Sequence, residues 1–148
     1  MGYTHYWSFL RPSNNFEDEY INVLLDINLG LKNLDKSIVL RGGDGTGTPE
    51  FTRERICFNG DGQQGLDNET FLFNKEPDNF KFCKTNNKPY DFFVGVCLLS
   101  LSNRITGFEF SSDGDNREWE PIILFYQKFI GEIKPSILEK LLTLQDNF

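Results

Sequence analysis

The chain has one histidine, His5, so any mechanism that needs an imidazole base must use it. His5 sits in Thr4-His5-Tyr6-Trp7, inside a run from Thr4 to Leu10 that alternates like a strand and is rich in aromatics. Strand alternation places His5 and Trp7 on one face and Thr4 and Tyr6 on the other. These residue types allow a Cys–His pair with Cys83, oriented by Asp91 or Asp113. They equally allow a hydrogen-bonded structural histidine.

A second stretch, Phe82-Cys83-Lys84-Thr85-Asn86-Asn87-Lys88-Pro89-Tyr90-Asp91, sets two lysines, a hydroxyl and two amides just before an apolar helical pattern. Unpaired N–H groups at a helix start favour an anion, and Lys84 and Lys88 add full charges. Two features count the other way: Pro89 supplies no N–H, and Asp91 competes for the same helix end. An ordinary capped helix is the plainer reading. The loop Gly42 to Gly47 has the texture of a phosphate cradle but lacks the Lys-Ser/Thr ending of a P-loop and the spacing of a dinucleotide fingerprint. Its glycines are better suited to a tight turn, and Asp44 is its candidate contact residue. Ser111-Ser112-Asp113-Gly114-Asp115 follows a strand, a position from which loops often contact ligands. Asp113 and Asp115 with Asp44 or Asp61 are hard-cation ligand types, yet no run matches an EF-hand loop.

The elements that would position these groups follow from periodicity. A helix is predicted from near Asn15 as cap, with Glu17, Asp18 and Glu19 in its first turn and Lys36 near its far end. Short strands are predicted at Ser37–Leu40, Arg53–Phe58, Glu69–Phe73, Phe80–Lys84 and Thr106–Ser111. Asn59-Gly60-Asp61-Gly62 reads as a turn. Pro89 to Asn103 reads as a central buried helix, and Pro121–Ile130 and Pro135–Leu144 as two more. Trp119 reads as a packing anchor. The order β-α-β-β-β-β-α-β-α-α predicts a single α+β domain over residues 1–148. Its sheet is mixed or mostly antiparallel, with about four helices packed on it.

Composition narrows the partners. The chain has 148 residues, 15 Lys and Arg against 22 Asp and Glu, a net charge of −7, and 15 Phe. That size supports an ordinary core, and so many bulky aromatics argue against disorder. The acidic balance argues against general nucleic-acid binding, which needs a basic stripe. It also suits an acidic interaction or inhibitor protein that meets a basic partner. No apolar run reaches the length of a bilayer span, and the beginning of the chain lacks signal-peptide and myristoylation patterns. Cys57, Cys83 and Cys97 are odd in number and lack metal-type spacing, which fits reduced thiols. A cytoplasmic protein of a bacterium, or of a phage-infected host, is the expectation. The absence of Ala and abundance of Asn fit an AT-rich, low-GC bacterium or its phage.

Met1-Gly2-Tyr3-Thr4-His5-Tyr6-Trp7, Gly43-Asp44-Gly45-Thr46-Gly47 with Pro49, Phe58-Asn59-Gly60, Glu69-Thr70-Phe71, Phe82-Cys83-Lys84-Thr85 with Lys88-Pro89-Tyr90-Asp91, and Ser111-Ser112-Asp113-Gly114 with Trp119 form a distinctive set. Together they resemble a set of small proteins of bacteria, their phages and some fungi that begin MGYTHYW. The likeness extends to about Trp119 and implies no particular activity. It departs at Asn86-Asn87, where the pattern carries Arg or Ala, and this lowers the local positive charge.

The leading expectation is a binding protein for a small anionic, nucleotide-like molecule. Its candidate contacts are Tyr6, Trp7, Asp44, Asn59, Lys84, Thr85, Lys88, Tyr90, Ser112 and Asp113, with Tyr6, Trp7 or Tyr90 as a stacking face. The alternative is a hydrolase or transferase with His5 as base, Asp91 or Asp113 as orienter or second acid/base, and Lys84 and Lys88 stabilising charge. No metal or cofactor is expected in either case.

Overall fold

A computed structural model describes residues 3–143. The α+β reading holds: among the described residues six strands and four α-helices follow the expected order, and every strand pairing is antiparallel. The strands form two sheets of three. One has β1 (Thr4–Phe9) at its centre, with β5 (Asp78–Lys84) and β6 (Phe108–Ser112) at its sides. The other orders β2 (Glu50–Phe51), β3 (Arg55–Phe58) and β4 (Phe71–Asn74). Aromatic pairs join the sheets: Trp7 lies 5.1 Å from Phe71, and Phe9 lies 5.6 Å from Phe73, between ring centroids.

The helix α2 (Asp91–Arg104) is the hub. Every residue from Phe93 to Leu101 is buried, as expected of a helix apolar on most sides. Gly95 lets α3 (Asn116–Phe129) approach, because a Cβ there would meet Ile122 Cδ1 at 2.7 Å. The first helix, α1 (Phe16–Asn33), lays Phe16, Tyr20, Val23 and Ile27 into the core. The fourth, α4 (Pro135–Leu142), contributes Ile137 and Leu141.

Several boundaries differ from expectation for identifiable reasons. Ser37–Leu40 is not a strand. The backbone there turns instead, with Ser37 N–H on Asp35 Oδ1 and Ile38 N–H on Asp35 O, and the only ladder contact is an isolated bridge from Arg41 to Asn59. The strand in that part of the order is β2. Asn15 precedes α1 but makes no side-chain cap, and the helix stops at Asn33, short of Lys36. The third helix begins at Asn116 rather than Pro121, because Asp115 and Glu118 form a reciprocal capping box that starts it five residues earlier. Residue 144, placed at the end of the fourth helix from sequence, lies outside the described residues.

One buried carboxylate belongs wholly to this framework. Asp26 on α1 accepts from Ser100 Oγ at 2.8 Å, Tyr126 Oη at 3.0 Å, and Arg104 Nε and Nη2 at 2.9 and 3.0 Å. It ties three helices together. Arg104→Ala is expected to lower stability by about 2 kcal/mol in urea unfolding. That is less than for a fully buried pair, because the guanidinium is partly exposed and Ser100 and Tyr126 remain as donors.

Candidate functional site

The central strand places His5 between Cys83 on β5 and Ser112 on β6, all three in register. His5 points inward and is fully buried. Its Nε2 lies 2.6 Å from Asp91 Oδ1, and its Nδ1 lies 2.8 Å from Ser112 Oγ. Asp91 Oδ1 also accepts the Thr85 hydroxyl at 2.6 Å. For a neutral imidazole the network has one consistent proton arrangement. The carboxylate is an acceptor, so Nε2 donates to it, and Nδ1 is left to accept the Ser112 O–H. The Ser112 oxygen meanwhile accepts Gly114 N–H at 3.0 Å. A continuous hydrogen-bonded chain therefore runs from a buried carboxylate, through an imidazole, to a half-buried hydroxyl.

Local backbone chemistry aims each member. After β5, Asn86 and Asn87 both adopt left-handed conformations, with φ of 55° and 57°. Asparagine tolerates that region better than most side chains. Lys88 N–H closes on Thr85 O, while Thr85 and Asn86 N–H both bond Tyr3 O. This turn launches α2 with Asp91 as its first residue, where the helix dipole favours a carboxylate. On the other side, Thr4 and Asp113 clamp the end of β6, with Asp113 N–H on Thr4 O and Thr4 N–H on Asp113 Oδ2 at 3.1 Å.

Two rings wall the imidazole edge-on: Tyr3 at 5.2 Å and Trp119 at 5.6 Å. Burial, then the charges of Asp91 and Glu118, raise the Tyr3 phenol well above its ordinary pKa. Its hydroxyl sits against Gly114, where a Cβ would come within 2.2 Å, so only glycine admits the phenol there. The indole N–H of Trp119 is the single buried side-chain polar atom without a partner among the described residues.

The structure brings His5, Thr85, Asp91, Ser112 and Asp113 together and disperses the other expected contacts. Tyr6 is adjacent, its hydroxyl 3.5 Å from Asp113 Oδ2, but its ring faces outward. Asp113 pins Thr4, and Asp91 is the carboxylate bonded to His5. Trp7 and Tyr90 are buried and present no stacking face. The Tyr90 hydroxyl donates to Glu69 O at 2.5 Å. Asn59 is a buried brace between loops, giving its amide N–H groups to Gly43 O and Asn68 O and accepting from Gly60 and Asn68 N–H. Asp44 closes its own exposed turn on Thr46.

The anion arrangement expected of Lys84 and Lys88 meets an occupied helix end. The carboxylate of Asp91 lies there, Lys88 Nζ donates to Gly65 O at 3.2 Å, and Lys84 is exposed on the outer face of β5. The Cys–His pair is replaced as well. Both imidazole nitrogens are already engaged, and Cys83 Sγ–H points to Glu69 O at 3.4 Å. Asp61 caps a short 3-10 turn, and Asp115 caps α3. Among the described residues, no three His, Cys, Asp or Glu side chains converge as metal ligands. No described helix is long and apolar enough to cross a membrane. Sequence reasoning missed Tyr3 as a wall of the site and did not pair Ser112 with His5, a pairing set by strand register.

No family model matches the chain, and no curated protein or solved structure gives a significant match.

Burial, reinforced by Glu69, pushes the Cys83 thiol up to about 12, and burial raises Cys57 and Cys97 too. The folded protein therefore holds these protons after the unfolded chain, with thiols near pH 8.5, has released them. Stability from this source is intact below about pH 8.5 and is lost as pH rises towards 12. The melting temperature is expected to fall across that alkaline window, and less steeply in Cys83→Ala than in the parent.

Proposed function

We propose that the protein is an acyl hydrolase or transferase in which Ser112 is the nucleophile, His5 the general base and Asp91 the group that orients and balances the imidazole. The observation that carries this reading is the unbroken chain Asp91–His5–Ser112, with contacts of 2.6 and 2.8 Å, that starts on a buried carboxylate and ends on a half-buried hydroxyl. The imidazole nitrogens are exchanged relative to the chymotrypsin-type triad: here Nδ1 faces the nucleophile and Nε2 the carboxylate. The roles depend on geometry rather than on which nitrogen performs them.

In the proposed first step, Ser112 Oγ attacks a carbonyl carbon while its proton passes to Nδ1 of His5. Imidazolium forms between Ser112 and the Asp91 carboxylate, which stabilises it. The tetrahedral adduct then collapses, the leaving group takes the proton from Nδ1, and an acyl-Ser112 remains. Water or an acceptor alcohol attacks that ester, gives its proton to Nδ1, and the proton returns to Ser112 Oγ as the acyl group departs. Thr85 holds Asp91 in place and is a positioning residue, as is Gly114, which seats Tyr3.

A fluorophosphonate reagent traps a serine activated in this way. Intact-mass measurement is expected to show one adduct on the parent and none on Ser112→Ala. Asp91→Asn is expected to slow labelling by about 100-fold or more and to change its pH profile, since the amide favours the wrong tautomer. Thermal unfolding of each variant separates loss of the relay from loss of the fold. Labelling of the parent no faster than that of a folded Ser112→Ala protein would remove the proposal.

A further inference from the structure

The strands that carry the relay present a second surface on their opposite face. Side chains alternate along β1, β5 and β6, so Tyr6, Ser8, Phe80, Phe82, Glu109 and Ser111 point away from the core. The outer rings form a continuous strip. Tyr6 and Phe80 stack with centroids 5.9 Å apart and planes 27° apart, and Phe82 follows at 5.9 Å from Phe80. Phe80 is 57% exposed and Phe82 is 55% exposed. Burying rings like these is the usual fate of aromatics, so a strip left in solvent asks for an occupant.

The strip borders an open cleft of about 770 Å³ between this sheet face and the start of α4. Among the described residues its lining includes Tyr6, Phe80, Lys134, Ser136 and Lys140, with Glu109 as the one carboxylate. In a chain of net charge −7, two ammonium groups against one carboxylate make a locally cationic spot. Lys140 is held in place there, its Nζ donating to Phe110 O and lying 5.0 Å from the centre of that ring. An ammonium has three N–H donors, so two stay available to an anion. Ser136 brings a hydroxyl from the first turn of α4, where the helix dipole adds positive potential.

We infer that this cleft binds a nucleoside monophosphate, with the base stacked on the Tyr6–Phe80 strip and the phosphate held by Lys134, Ser136 and Lys140. The volume suits a small molecule rather than a protein segment. Two lysines match one phosphate; they are too few to hold a nucleic-acid strand, whose binding relies on many phosphate contacts. Ring faces accept any base, because every base has a π surface, so the phosphate and sugar supply most of the discrimination. The site is independent of the relay, since neighbouring residues Ser111 and Ser112 face opposite sides of the sheet.

The four ribonucleoside monophosphates, titrated at low salt by calorimetry, test it. At least one is expected to saturate the protein in the micromolar range, with the matching nucleoside and inorganic phosphate each weaker by about tenfold or more. Phe80→Ala, Lys134→Ala and Lys140→Ala are each expected to weaken binding by about tenfold, with unchanged melting temperature for the first two, whose side chains are exposed. Lys88→Ala should keep the parental Kd. Titrations repeated on Ser112→Ala protein should give that same Kd, so failure of the relay would not touch this result. Absence of saturation with all four nucleotides overturns the inference. So does binding no tighter than inorganic phosphate, or affinity insensitive to Phe80 and Lys134.

Discussion

The structure turns on one contact, the 2.6 Å hydrogen bond from His5 to Asp91. It joins the central strand of one sheet to the first residue of the buried helix. Both partners have left water, with His5 fully buried and Asp91 nearly so. Such a pair is tolerable only when its remaining hydrogen-bonding capacity is met, because stripping solvent from a carboxylate costs several kcal/mol, by order of magnitude. Here Thr85 donates to the carboxylate, the helix dipole adds favourable potential, and Ser112 takes the far nitrogen of the ring. The left-handed turn at Asn86 and Asn87, the register of β6 and the glycine under Tyr3 all serve to keep those partners in place.

A second buried carboxylate in the same molecule shows why this one is read as chemistry rather than scaffolding. Asp26 is surrounded on all sides by its own donors, from Ser100, Arg104 and Tyr126, and its network begins and ends within the helices. That is the pattern of a carboxylate used to lock helix packing, with a permanent guanidinium to balance its charge. Among the described residues Asp91 has no guanidinium or ammonium partner; the salt-bridge geometry there is with an imidazole. Its network leads outward to a hydroxyl on a strand end. Imidazole is the one side chain whose ordinary pKa lets it take and return a proton near neutrality.

How much was legible in the sequence follows from the physical range of each signal. Helix existence was legible, because apolar spacing in Tyr20, Val23 and Ile27, or in the run from Phe92 to Leu101, is a local property. The start of α3 was also encoded, in Asp115 and Glu118 three residues apart, but Pro121 gave a louder and misleading start signal. Ser37–Leu40 had strand composition without a partner strand, and pairing is not a local property. His5, Asp91 and Asp113 were legible as chemical types. Their assignment was not: His5 is in register with both Cys83 and Ser112, and only contacts made across 107 and 86 residues of sequence single out Ser112 and Asp91. The lysines flanking α2 suggested an anion, yet the helix supplied its own anion in Asp91.

The period of two along a β-strand accounts for both proposals at once. Each of β1 and β6 contributes consecutive residues to opposite surfaces: His5 and Ser112 inward, Tyr6 and Ser111 outward. The inward row is polar within an otherwise aromatic core, and the outward strip is aromatic on an otherwise acidic surface. Each is thus the inverse of its surroundings, and each inversion costs free energy that packing alone does not return. The two faces share a backbone, while the relay side chains His5, Asp91 and Ser112 are absent from the cleft lining. Two residues touch both: Tyr6, whose ring lines the cleft while its hydroxyl reaches Asp113, and Phe110, which lines the cleft and packs on Trp119 beside His5.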